Sequence, residues 1–355
     1  MASYKHSLLS GLLIAGVAAA LPSLSVAAPK TIKEVANYMG ADRQAVMEAG
    51  AKKEGTVLVY GSLTQGTAGP VFAGFVKKYP FIRLQKKVGD SITTVRQAVE
   101  EFRAQHYIVD VVGTSLGGML PLRELGFFMP YRTPEHAAMR PEAIEPNRLW
   151  TMDFQSFVSL GYNTKEVSEK DVPKTLDDLL DPKWKGKMAF PKSSTFPNWV
   201  GATLHEKDEK WLRKLAKQNI RVYKIGGRAL SNLVVSGEVS LSPTIFNSHM
   251  YKSASKGASV SWRPLGPVHT NTSTMGLAKH APHPHAGMLL IDYFMSKEGQ
   301  SIRKKLGYAS GRKDLPLSNP PKNAIDQAIS PTYSKDFIKW RKLAFSIFGK
   351  PQPKK

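Results

Sequence analysis

The chain has 355 residues, of which 42% are hydrophobic and 22% charged, with a formal net charge of +22 and no cysteine. This length suits two α/β lobes better than one core, and the composition excludes a largely disordered chain. The missing cysteine excludes disulfides, thiolate metal sites, a cysteine nucleophile and a lipoprotein anchor. The first segment is read apart from the fold. Residues Leu8 to Leu21 form an apolar run, LLSGLLIAGVAAAL, followed by the small-x-small site Ser25-Val26-Ala27. The run is shorter than the ~20 residues that span a bilayer. It predicts a signal peptide over residues 1–27, cleaved near Ala27, and an exported protein.

A helical stretch ending at Gly55 comes next, then Thr56–Tyr60, a short β-branched run that stops at Gly61-Ser62 and reads as a buried parallel strand. Phe72, Phe75, Val76 and Tyr79 recur at helical spacing before Pro80. Ile82–Val88 and Tyr107–Thr114 read as further strands, with helices at Thr94–Gln105 and Leu116–Leu125. This alternation favours a parallel sheet. Further strands are expected at Phe157–Tyr162, Met188–Phe190, 221–224, 239–244, 258–262 and 272–278. Helices are expected at about 199–206, 208–218 and 229–236, with one long helix at Ala286–Leu306. The last ~50 residues read as Pro-rich loops with one helix near 333–346.

The positive charge raises the question of nucleic acid. The basic residues are scattered, however, and no helix-turn-helix, zinc-finger spacing or aromatic-basic RNA motif is present. Residues 301–355 carry 13 Lys/Arg against three Asp, a basic end read as solvated surface. No nucleic-acid partner is expected. No Gly-x-Ser-x-Gly elbow, P-loop, dinucleotide fingerprint or His-Glu-x-x-His occurs, so no enzyme, catalytic residue or cofactor is expected. Asp110 and Asp153 read as buried caps. His280, His283 and His285 sit in an extended Pro-containing segment and are not read as metal ligands.

Open α/β sheets bind ligands beyond the carboxyl ends of their strands. The loops there hold Ser62 and Thr64, Thr114 and Ser115, Tyr162, and Ser194 and Thr195. Each is either an anion site at a helix start or an ordinary N-cap. Arg228, after Gly226-Gly227, is either a bidentate clamp for a carboxylate or phosphonate or an exposed helix-start arginine. Trp199 either stacks on a flat ligand or packs in the core.

Five segments, in this order, resemble the iron(III)-type branch of periplasmic ABC-importer binding proteins: Ala51–Ser62 (AKKEGTVLVYGS), Ser159–Thr164 (SLGYNT), Leu179–Gly186 (LLDPKWKG), Val235–Val239 (VSGEV), and His283–Ala286 with Leu290–Gln300 (HPHA, LIDYFMSKEGQ). The resemblance runs from about residue 40 to 312. It implies a two-lobed α/β periplasmic binding protein fold of class II type, with crossing segments near Phe157–Tyr162 and Trp262–Thr274. Lobe 1 would take 28–130 and 263–300; lobe 2 would take 131–262 and 301–355. It also implies a periplasmic monomer that closes on a small ligand and delivers it to a permease and ATPase of the inner membrane. A sensor or chemoreceptor partner is the alternative of another class.

The iron branch places two adjacent tyrosines soon after the Gly-Glu segment. The gap-free match here is Asn247 and Ser248, neutral and poor partners for a trivalent ion. Tyr251 or His249 would reach the cleft only after a register shift. The expected cargo is therefore a small organic anion held by Ser62, Thr64, Thr114, Ser115, Ser194, Thr195, Asn247 and Arg228, with no protein metal ligand. The alternative is ferric iron held through non-tyrosine or anion-assisted ligation.

Overall fold

A computed structural model describes Met1 and residues 29–89, 91–316, 321, 323–327, 330 and 332–349. The expected signal peptide lies almost wholly outside the described residues. Among those residues, no helix is long and apolar enough to cross a membrane.

The first lobe begins with helices α1 (Ile32–Val35) and α2 (Arg43–Glu54), then alternates strand and helix: β1 (Thr56–Gly61), α3 (Gln65–Lys78), β2 (Arg83–Val88), α4 (Ser91–Arg103), β3 (Val111–Ser115) and α5 (Leu116–Glu124). Gly55, left-handed at φ 67°, stops α2 and sends the chain into β1. β1 runs parallel to β2 and β3, as the alternation predicts. β2 is the edge, and its exposed Lys86 and Lys87 keep that edge from pairing further. β3 starts at Val111, not Tyr107, directly after Asp110. Its buried carboxylate accepts from Leu58 N at 2.7 Å and from His283 N at 2.7 Å, tying β1 to a later helix start.

The next strand, β4 (Thr151–Asn163), is twice as long as its apolar signature suggested. It is followed by β5 (Ala189–Pro191), α6 (Thr195–Thr203), α7 (Glu209–Ala216), β6 (Arg221–Tyr223), α8 (Gly227–Ser236), β7 (Leu241–Phe246), α9 (Asn247–Ala254), β8 (Val260–Arg263) and β9 (Val268–Leu277). The chain ends through α10 (Pro284–Met295), α11 (Lys297–Lys305), β10 (Ala324–Ile325) and α12 (Tyr333–Phe348). The long helix expected at 286–306 is broken at Ser296, whose hydroxyl caps α11 by accepting from Gly299 N at 3.1 Å.

β4 and β9 join the two halves. The first part of β4 pairs antiparallel with β9, and its second part pairs with β7 and β8. β9 pairs antiparallel with β3, so the sheet order is β2-β1-β3-β9-β4-β7, and the sheet is mixed rather than all parallel. One apolar core lies around β1, β3, α3 and α10, extended by a cluster from Val95 to Trp150. The other lies around β5, α6, α7 and the second part of β4. Tyr131, Met139, Ala143 and Met152 pack in the first core, whereas the resemblance assigned 131 onward to the second lobe.

Candidate functional site

A cleft of about 710 Å³ opens between the two cores. Its floor follows from strand periodicity, since alternate residues face one side. Phe154 and Ser156 of β4 and His269, Asn271 and Ser273 of β9 all face it. Four helix N-termini meet at its walls: Ser62 and Thr67 come from the start of α3, Ser115 from that of α5, Ser194, Thr195 and Asn198 from α6, and Ser248 and His249 from α9. Thr64, Ser115 and Ser194 stand at N-cap positions but make no side-chain capping hydrogen bond. Each helix start presents partial positive charge.

Glycine makes the β1 end possible. Gly61 has φ +146°, and a Cβ there would meet Gly113 O at 1.7 Å. The two strand ends therefore touch, Ser62 N donates to Gly113 O at 3.0 Å, and Ser62 turns into the cleft. The base is held by a buried ion pair. Arg303 of α11 donates from Nε to Asp153 Oδ1 at 2.8 Å, engages Asp153 Oδ2 with a second nitrogen, and reaches Thr67 O with the third. Its guanidinium lies 4.7 Å from the Phe154 ring centroid. Asp153 is thus an ion-pair partner, not a cap.

No carboxylate lines the cleft among the described residues, while Arg96 does. Arg228 is exposed and donates to the His249 carbonyl at 3.3 Å, which fixes it beside the cleft wall rather than inside. Lys252 reaches across from α9 to Gly66 O at 3.4 Å. Burial, then Arg228 and Lys256, lowers its pKa. His249 falls to about 3 through burial, with Arg228 adding to the effect. Burial also takes His269 to about 3. Both imidazoles are therefore neutral near pH 7. Ser273 Oγ is buried on the floor without a hydrogen-bond partner in the protein.

Of the residues expected from sequence, Ser62, Ser115, Ser194 and Thr195 line the cleft. Thr64 is exposed at the start of α3, and Thr67 takes its place. Thr114 is fully buried beneath the wall, 3.4 Å from Ser62 Oγ. Three more of the expected residues do not line the cleft. Tyr162 is buried in the second lobe with its hydroxyl donating to Glu169 Oε2 at 3.0 Å. Trp199 is buried against Phe190 at 5.3 Å. Asn247 is consumed by the backbone: Oδ1 accepts from Phe157 N at 2.9 Å and Nδ2 donates to Gly307 O at 3.4 Å. Its neighbour Ser248 faces the cleft, paired with Ser156 Oγ at 3.0 Å. His249 also lines it without any register shift, whereas Tyr251 is exposed.

Sequence reading missed the β9 floor, Tyr308, and Tyr333 and Phe337 of α12. The first had a signal: His269-Thr-Asn-Thr-Ser-Thr274 is a polar run in a buried strand. The three histidines near 283 serve separate partners. His280 stacks on Tyr107 at 4.3 Å, His283 Nδ1 lies 3.0 Å from Asp110, and His285 Nδ1 lies 2.6 Å from Glu54.

A sequence model of the bacterial extracellular solute-binding protein family matches residues 119–343. The Fe(3+)-binding periplasmic protein of Serratia marcescens is 26% identical over 223 residues, covering 57% of this chain and 65% of that protein. Iron uptake protein A2 of Synechocystis is 24% identical over 265 residues, covering 69% of this chain and 73% of its own. Among solved structures, iron-bound HitA of Pseudomonas aeruginosa superposes with a TM-score of 0.66 at 22% identity, over 82% of this chain and 99% of that one. A Trichodesmium protein in complex with iron and citrate gives 0.64 at 19%, over 83% and 100%. These likenesses establish the two-lobed periplasmic binding protein fold.

Proposed function

The chain belongs to the bacterial extracellular solute-binding protein family, and on that premise we propose that it is the periplasmic binding component of an ABC importer whose cargo is ferric iron already complexed by a small organic anion. The relatives named above carry iron in their names, and none carries an iron-free organic acid, which favours the alternative reading of the sequence over the bare organic anion. The observation that carries the proposal is the carboxylate-free, cation-edged cleft. A bare trivalent ion would be left there without compensating anionic ligands, at a large desolvation cost. A chelate supplies its own hard oxygens and presents a net negative or polar exterior. That exterior suits four helix N-termini, the hydroxyls of Ser62, Ser115, Ser194, Thr195 and Ser248, and the charges of Arg96, Arg228 and Lys252. Neutral hydrogen bonds of about 0.5–1.5 kcal/mol each must act together to reach micromolar affinity, about −8 kcal/mol. Lys252, which already bridges to Gly66, closes the lobes over the cargo.

The test is calorimetry on the mature protein with ferric citrate, citrate alone and a ferric salt delivered without a retained chelator. Tight binding of ferric citrate alone is expected. Tight binding of the uncomplexed ion would refute the proposal. The iron-free acid is the second reading, favoured by the same cation-edged cleft, and equal binding of citrate with and without iron would establish it.

A further inference from the structure

The cleft walls carry more apolar ring surface than an ion or an aliphatic chelate needs. On α12, Tyr333, Phe337, Trp340 and Ala344 follow at spacings of four, three and four, one apolar stripe of a helix. The C-terminal end of that stripe is embedded in the second core. Ala344 is fully buried, and Trp340 sits so close to α6 that a Cβ on Gly201 would meet its ring at 2.5 Å. The N-terminal end runs past the core. Tyr333 and Phe337, with ring centroids 5.9 Å apart, line the cleft, and Tyr333 is held by its hydroxyl donating to Asn198 Oδ1 at 3.3 Å. The first lobe contributes Val95, Val99 and Pro121 to the same space. The base adds Phe154 and Tyr308, 4.2 Å apart. Ring faces and aliphatic groups from both lobes thus flank a polar floor that bears Ser273 and Asn271. Such a slot accepts a flat body by its faces and a charged edge at the helix starts in its walls.

We propose that the organic part of the cargo is a flat aromatic acid, of the hydroxybenzoate type, seated with its ring against Tyr333 and Phe337 and its oxygens toward the helix starts. This rests on the reading of the cleft as the cargo site and specifies the cargo's chemical class. α12 is then a specificity element as well as a brace for the second lobe.

The test is calorimetry on the mature protein with ferric 2,3-dihydroxybenzoate and ferric citrate, each beside its iron-free acid. The aromatic ligand should bind at least about tenfold tighter than its citrate counterpart. Phe337→Ala, and Phe337→Leu as a variant that keeps apolar bulk on α12, should each weaken the aromatic ligand about three- to tenfold and citrate by a clearly smaller factor. Equal or tighter binding of citrate overturns the inference but leaves the importer reading standing. An equal loss of both ligands in the Phe337 variants also overturns it, since the ring would then be structural. If no complex or acid binds, both readings fall.

Discussion

The ion pair beneath the cleft offers the sharpest test of the structural argument. Arg303→Met removes the charge and keeps an apolar chain of similar reach. Arg303 and Asp153 are both fully buried, so the variant strands a carboxylate away from water. Breaking a buried pair by removing one partner costs about 3–5 kcal/mol. The lost stacking on Phe154 adds to this, as does the lost donor to Thr67 O. Against a total stability of about 5–15 kcal/mol, this is a large fraction. Urea unfolding read by tryptophan fluorescence should show the midpoint fall with an unchanged slope. The sign of the pH dependence is a second check. Burial already raises the Asp153 pKa, and Arg303 opposes it. Without Arg303 the folded-state pKa rises further above the unfolded value, so the variant is penalised most at high pH and recovers as pH falls and the carboxyl protonates. The double variant Asp153→Leu with Arg303→Met removes both charges and should be more stable than Arg303→Met alone. A cost below about 1 kcal/mol for Arg303→Met at pH 8 would refute the account of this pair as the brace of the cleft floor.

His269 gives an acid-sensitive counterpart. Its folded pKa of about 3 lies below its unfolded value near 6.5, so its contribution is intact above pH 6.5 and is lost as pH falls toward 3. Between pH 7 and 5 the loss is roughly 2 kcal/mol, and His269→Gln should flatten the fall in melting temperature over that interval. Gly61→Ala should be among the most damaging small substitutions, costing several kcal/mol, because the added Cβ meets Gly113 O at 1.7 Å in a positive-φ backbone; chemical denaturation reads this directly. Arg228→Ala and Lys252→Ala should each weaken ferric citrate binding about tenfold in calorimetry at low ionic strength, with the effect shrinking in high salt. Neither should change the free energy of unfolding by more than about 0.5 kcal/mol.

Local signals in the sequence located most elements of the fold. A β-branched run ended by glycine marked β1, and apolar residues at helical spacing marked α3 and α4. The joining strands were harder to read. Only Phe157–Tyr162 of β4 carries an apolar run; Thr151–Ser156 mixes Asp153, Gln155 and Ser156 with its apolar residues, because this part passes beneath the cleft and over Arg303. The same physics hid the floor of the site. His269, Asn271 and Ser273 occupy alternate positions of a buried strand, a pattern that reads as a weak strand until the cleft above it is known. Asn247 failed as a site residue for the opposite reason. Aligned segments give a residue's place along the chain but not its rotation about a helix start, and here Asn247 turns to the backbone while Ser248 and His249 turn to the cleft.

That rotation also bears on what the cleft accepts. A tyrosine pair at 247 and 248 would have met different surroundings at its two positions, one already spent on Phe157 N and Gly307 O, the other facing Ser156. With Asn and Ser there, the negative charge that a trivalent ion requires has to arrive with the cargo. Every charged group placed at the cleft agrees with that requirement: Arg96 lines it, Arg228 braces the His249 carbonyl, and Lys252 spans to the first lobe, while the imidazoles of His249 and His269 stay neutral. On the proposed reading, a scaffold shared with proteins named for iron would carry the metal by recognising the outside of its chelate. If the cargo is such a chelate, the ring surface of α12, set by the Tyr333–Phe337 pair and the Tyr333–Asn198 hydrogen bond, is expected to discriminate among chelates.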